Sequence, residues 1–165
     1  MNITIRKMQY EDTKQVQNIA KTTWNATYEG IIPLEVQNNF LNSAYNDESM
    51  KQRLERSILY VAEVDGKVVG FANYSPVRDG GNVELAAIYL NPKFQGKGIG
   101  TALLQQAINE LEGTKEIYIN VEKENKIGMT FYKAKGFEIV KEFDDEFDGH
   151  ILKTVRMVKK IKLLS

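Results

Sequence analysis

The sequence predicts a single α/β domain: a mixed sheet of about seven strands flanked by helices on both faces. Three observations carry this. Helix-periodic and strand-periodic segments alternate along the whole chain with no linker or internal repeat, the pattern of a layered α/β domain. The chain has 165 residues, enough for one buried core and short for two. In its middle, an apolar strand runs through a glycine-rich turn straight into an amphipathic helix.

In chain order, Ile3 and Ile5 alternate with polar neighbours over 2–7 and mark a first strand. Glu11, Asp12 and Thr13 offer caps to a helix with the stripe Val16, Ile19 and Ala20, expected to end near Trp24. Trp24 reads as core packing. Residues 28–33 set apolar side chains beside Gly30 and Pro33, which marks a loop with something to cover, such as an acceptor pocket. Helices are expected over 33–41 and 47–56, then strands over 58–64 and 67–74 joined by Asp65-Gly66, a two-residue hairpin signal. Asp79-Gly80-Gly81 turns into a strand over 83–90 that is apolar at nearly every position from Leu85 onward, as expected of burial on both faces.

Beyond the glycine turn, Leu103, Leu104, Ala107, Ile108 and Leu111 form a helical stripe. Residues 116–121 read as another buried strand. A helix starts after Asn125 with Ile127, Phe131 and Ala134 on its core face, and ends at Gly136. Residues 137–143 and 151–158 read as a last hairpin around an acidic connection, 144–149. The tail from Lys159 to Ser165 is expected to fray or dock loosely, which leaves a core over about 3–160 in a domain spanning 1–165.

The turn Gln95-Gly96-Lys97-Gly98-Ile99-Gly100 lies between the central strand and the helix that continues through Thr101. Helix N-terminal N–H groups have no intrahelical partner, and glycines let a phosphate approach them, so strand, glycine turn and helix in this order read as an anion site. The spacing excludes two phosphate motifs. A dinucleotide fingerprint needs a third glycine where Thr101 or Leu103 stands, and a Walker loop needs Ser or Thr where Gly98 follows Lys97.

The pattern Q-x-x-G-x-G does resemble the acyl-CoA motif of the GNAT N-acetyltransferase superfamily. A second segment, from Asn125 to Phe137 with Phe131-Tyr132 and Gly136-Phe137, resembles that family's asparagine-to-FYxxxGF stretch, with Gly128 as its small residue. Residues 24–33 and the chain length also resemble Pai-type polyamine acetyltransferases. The resemblance implies the GNAT fold and acetyl-CoA as acyl donor, with an amine acceptor and no metal. It places Gln95, Gly96, Lys97, Gly98, Ile99, Gly100, Thr101 and Asn125 at the cofactor. A backbone N–H at Ile88 or Tyr89 would polarise the thioester, and the strand edge from Ile88 to Leu90 would pair with the pantetheine amides. Dimers are common in the family, so a homodimer is an open partner.

Acetyl transfer to an amine poses two proton problems. Stripping a lysine-like ammonium at pH 7 costs roughly 4 to 5 kcal/mol, so a base is needed. Glu84 stands where several family members carry one; its plain alternative is a solvated carboxylate at a strand start. The leaving thiolate needs an acid, and Tyr132 matches the family's position for it. Phe131 is expected to take the core-facing slot, which turns its neighbour Tyr132 elsewhere. For the acceptor, Glu29, Asp144, Asp145, Glu146 and Asp148 are candidates to attract a cationic amine, against the plainer reading of a solvated hairpin tip. His150 reads as a surface residue. The rival in another class is a non-catalytic acyl-CoA-binding module, which would bind the cofactor yet tolerate loss of Glu84 and Tyr132.

Composition bounds the rest. Twenty-two basic and 22 acidic residues cancel without long like-charged blocks, so no nucleic-acid or membrane partner is indicated. The absence of cysteine removes disulfides and any acyl-cysteine intermediate, which leaves direct attack in a ternary complex. A single histidine excludes multi-histidine zinc sites. With no signal-like apolar core near the N-terminus, a cytoplasmic location is expected.

Overall fold

The computed structural model describes residues 1–162. Seven strands form one mixed sheet: β1 (Ile3–Lys7), β2 (Ile58–Val64), β3 (Lys67–Tyr74), β4 (Asn82–Leu90), β5 (Glu116–Glu122), β6 (Glu138–Phe147) and β7 (His150–Lys160). Their order is β1-β2-β3-β4-β5-β7-β6, and the central β4–β5 pairing is parallel while the others are antiparallel. The helices are α1 (Thr13–Tyr28), α2 (Leu34–Ala44), α3 (Asp47–Arg56), α4 (Ile99–Glu110) and α5 (Lys126–Ala134). No helix among the described residues is long and apolar enough to cross a membrane.

The two-residue period of the strands sorts the core into two layers. On one face, Tyr60, Ala62, Val83, Leu85, Ile117 and Ile119 pack on Ile99, Leu103, Leu104 and Ala107 of α4 and on Tyr132 of α5. On the other, Leu59, Val61, Phe71 and Ala87 pack on Val16, Ile19 and Trp24 of α1, Leu41 of α2 and Met50 of α3. Arg6 fixes where α1 begins, donating to both carboxylate oxygens of Asp12 at 2.8 and 2.9 Å and to Glu63 at 2.6 Å.

The hairpin at Asp65-Gly66 forms as expected, with both residues at positive φ (51° and 81°) as its primed turn demands. Several expectations are corrected. Helix α1 continues four residues past Trp24 to Tyr28. Residues 144–147 are strand, and the last hairpin closes on Asp148-Gly149, again with positive φ, so the acidic residues line β6. Strand β7 runs through Lys160, and the N–H of Ile161 bonds Lys115 at 2.8 Å, so this part of the tail is docked; 163–165 lie outside the described residues. On α5, Ile127 is 68% exposed and Ala134 is exposed, while Tyr132 is the buried residue. The core face is therefore rotated by one position from the expected stripe.

Candidate active site

The centre of the sheet does not close. Strands β4 and β5 are in register at Asn82–Glu116, Val83–Ile117 and Glu84–Tyr118, and there the pairing stops. Strand β5 goes on with β7 through Glu122, and β4 goes on with β3 through Leu90. A bulge helps to part them: Asn73 faces Ala87 but Tyr74 faces Leu85, which leaves Ala86 as the extra residue. Ala86 is exposed, contrary to the expectation of a strand buried on both faces.

Beyond Glu84, then, a V-shaped cleft opens beside an unpaired edge of β4. The N–H of Asn91 donates to Val69 at 2.8 Å, which sets the phase of the antiparallel ladder: Tyr89 turns its backbone groups to β3, and Ile88 and Leu90 turn theirs to the cleft. Of the two expected N–H donors, Ile88 is the one so placed. The Leu90 carbonyl accepts from Thr23 Oγ1 of α1 at 3.2 Å.

The glycine turn stands at the head of this edge. Gly96 and Gly98 have φ of 78° and 81°, and a Cβ on either would meet nothing within 4 Å. Gly98 is the N-cap of α4, so its left-handed backbone turns the chain into the helix while leaving open space in front. The N–H groups from Gly96 to Thr101 donate to no acceptor among the described residues. Gln95 and Lys97 are exposed, and the Ile99 side chain anchors the turn in the core at 0% exposure. Such a set of free amides at the positive end of a helix suits a phosphate group. Gly100 does something different: a Cβ there would come within 3.1 Å of the Phe131 ring, so this glycine lets α5 approach α4.

Helix α5 supplies the opposite side. Asn125 caps it, its Oδ1 accepting from the Gly128 N–H at 2.9 Å. The small residue at 128 has a local reason, since a Cβ would meet the Asn125 amide nitrogen at 2.7 Å. Phe131 covers Gly100, and Tyr132 points into the core between the rings of Phe131 and Phe137, at centroid distances of 5.3 and 5.4 Å. Tyr132 thus takes the fully buried slot expected for Phe131, while Phe131 packs half-buried against the same core. The Tyr132 hydroxyl has no hydrogen-bond partner among the described residues, and burial, with smaller contributions from Tyr89, Tyr74 and Tyr28, holds its pKa well above the ordinary value. It is a protonated phenol at neutral pH.

Glu84 sits at the vertex of the cleft. Arg156 of β7 grips both of its carboxylate oxygens, donates to Asn120 Oδ1 at 3.0 Å, and lies 4.7 Å from the centroid of the Tyr118 ring. Glu122, absent from the residues expected at the site, ends β5 at 7% exposure. One carboxylate oxygen accepts from the Glu124 N–H at 2.7 Å, and burial raises its pKa against the pull of that bond. Tyr28 lies nearby, its own pKa pushed up by burial and then by Tyr89 and Glu122. Tyr89 is locked by Trp24 Nε1, which donates to its hydroxyl at 2.8 Å. The alternation of Tyr118, Asn120 and Glu122 with Ile117, Ile119 and Val121 is the sequence signal for this polar row, and a strand expected to end at Val121 leaves its last member out.

The sequence and the fold have counterparts in known proteins. The sequence matches the acetyltransferase (GNAT) family over residues 16–137. A spermidine N(1)-acetyltransferase of Thermoplasma acidophilum is 31% identical over 147 residues, covering 84% of this chain and 90% of the relative. An uncharacterized N-acetyltransferase of Bacillus subtilis, YuaI, is 32% identical over 158 residues, covering 93% and 90%. The crystal structure of the PaiA N-acetyltransferase of T. acidophilum in complex with coenzyme A superposes with a TM-score of 0.84 at 27% identity, over 98% of this chain and 100% of that one. The fold as a whole is shared with that structure, and the chain belongs to the acetyltransferase (GNAT) family.

Proposed function

We propose that the protein transfers the acetyl group of acetyl-CoA to a primary amine, by direct attack in a ternary complex within one domain. The carrying observation is the unpaired β4 edge from Ile88 to Leu90 running up to the free amides of 96–101. An extended chain ending in a pyrophosphate fits such an edge, in which amides pair with the strand and the helix N-terminus meets the anion. Acetyl-CoA supplies an activated thioester, and the coenzyme A complex of the T. acidophilum PaiA protein supports this donor.

In this reading the N–H of Ile88 polarises the thioester carbonyl, and Tyr132 gives the proton that the departing sulfur takes up. Glu84 receives the amine proton through a water at the vertex of the cleft, oriented by Arg156. The spermidine acetyltransferase relative makes a polyamine the first acceptor to test. The test is thiol release from acetyl-CoA across a panel of primary amines, with spermidine and lysyl peptides as separate arms. Amine-dependent release is expected; cofactor binding without release by any amine would instead identify a binding module.

A further inference from the structure

Beyond Glu84, β4 is paired with β3 on one side and with no strand on the other. An edge open in this way has fewer restraints than a strand paired twice. Yet a donor such as the Ile88 N–H stabilises a developing oxyanion only from a fixed place, about 2.7–3.1 Å away. Something besides the sheet must hold the edge. Helix α1 does so at adjacent residues: Trp24 Nε1 donates to the Tyr89 hydroxyl at 2.8 Å, and Thr23 Oγ1 donates to the Leu90 carbonyl at 3.2 Å. The Thr23 bond falls on a carbonyl of the open edge itself, which an extended ligand would also use. The Trp24 bond does not, because Tyr89 turns its backbone to β3 and packs its side chain in the α1 layer.

Trp24 is buried, and its ring is itself held: it stacks on Phe40 of α2 at a centroid distance of 4.2 Å and tilts against Tyr28 at 4.6 Å. Tyr89 in turn sets its ring edge-on to Phe71 of β3 at 5.4 Å. The indole N–H therefore has one direction, and the phenol it meets belongs to the residue next to Ile88. A phenylalanine at either position would fill most of the same volume. What the pair adds to packing is a directed bond.

We propose that Trp24 is a positioning residue for acyl transfer, acting through the Tyr89 hydroxyl to hold the Ile88 N–H on the thioester carbonyl. The inference rests on the acetyl-transfer reading of the cleft and adds to it a side chain that touches neither substrate. A carbonyl that accepts a hydrogen bond has a weaker C=O bond and a lower stretching frequency, so the test is infrared spectroscopy of acetyl-CoA, isotope-labelled at the acetyl carbonyl and bound to the full chain without amine. Trp24→Phe and Tyr89→Phe each remove the bond and keep a ring. Both should raise the frequency of the bound thioester and lower kcat for a primary amine about tenfold, with the dissociation constant of acetyl-CoA little changed. The double variant should be no worse than the worse single one, since both delete the same bond. Tyr60→Phe is the control for general loosening: it deletes a tyrosine bond of the opposite core layer, to Glu110 at 2.9 Å, and should lower the melting temperature without moving the band. Normal acetyl-CoA binding with a band indifferent to Trp24→Phe and Tyr89→Phe, or moved as far by Tyr60→Phe, would overturn the positioning role alone. Failure of the wild-type chain to bind acetyl-CoA would overturn the donor reading and this role with it.

Discussion

Arg156 and Glu84 are 72 residues apart in sequence, yet the guanidinium holds both oxygens of the carboxylate at the point where β4 and β5 part. The pair is partly exposed, at 23% and 28% of the side chains, so its contribution to stability is modest, on the order of 1 kcal/mol or less. Its larger consequence is orientation: a carboxylate held at two points presents one direction to the cleft, as the proposed proton relay requires. Glu84→Gln should therefore lower kcat by about 100-fold while the dissociation constant of acetyl-CoA and the melting temperature stay close to wild type. Steady-state kinetics set beside cofactor titration separates the two effects, and an unchanged kcat removes Glu84 from proton transfer.

Tyr132 offers a cleaner substitution. Its hydroxyl bonds to nothing among the described residues, so Tyr132→Phe leaves no orphaned partner and should fold normally, with kcat reduced by about 100-fold or more. The pH dependence has a defined sign. Burial raises the phenol pKa above its ordinary 10.0, so the acid stays protonated and the wild-type rate should show no alkaline fall from this group below about pH 10. A falling limb at lower pH that disappears in Tyr132→Phe would contradict the assignment.

How much of this was legible before the structure depends on whether a feature is local. The stripe of α4, the Asp65-Gly66 turn and the glycine turn into α4 are short-range patterns, and each is present at its expected place. The orientation of α5 is not local. In a helix of nine residues, Phe131 and Tyr132 are adjacent and both apolar enough to be buried, so the period alone cannot choose; the approach of α4 at Gly100 chooses. The exposure of Ala86 depends on a bulge against β3 and on the divergence of β5, neither of which is visible in the strand's own composition. Arg156 had no signal, since its meaning lies wholly in a partner on another strand.

Two glycines of one turn should fail in different ways. Gly98 is left-handed with open space ahead, so Gly98→Asp places bulk and negative charge where the phosphate is proposed, and acetyl-CoA binding should become undetectable by calorimetry. At Gly100 the added Cβ of Gly100→Ala meets Phe131 at 3.1 Å, which predicts a loss of roughly 1–3 kcal/mol from overpacking. Adding Phe131→Leu should recover part of that loss, whereas it should do nothing for Gly98→Asp. A double-mutant cycle on denaturation midpoints reads the coupling directly, and additivity would mean that the two residues do not touch.

Glu122 is a carboxylate held in a place that does not favour its charge. Burial raises its pKa above the ordinary 4.5, and the N–H of Glu124 offsets only part of this. For an acid whose folded-state pKa is raised, the native state binds more protons than the unfolded chain between the two values, so stability falls as pH rises through that window. At pH 7 the ionised group is therefore a net cost. Glu122→Gln keeps an oxygen for the Glu124 N–H and removes the charge, so it should melt at a higher temperature than wild type at pH 7, with the difference shrinking toward zero below about pH 4. If Glu122 also holds the amine beside Tyr28, the same variant should raise KM for the amine while leaving KM for acetyl-CoA unchanged. A variant more stable at neutral pH but poorer in amine binding would show that the buried charge is retained for the acceptor; equal stability at both pH values would mean that Glu122 is solvated after all.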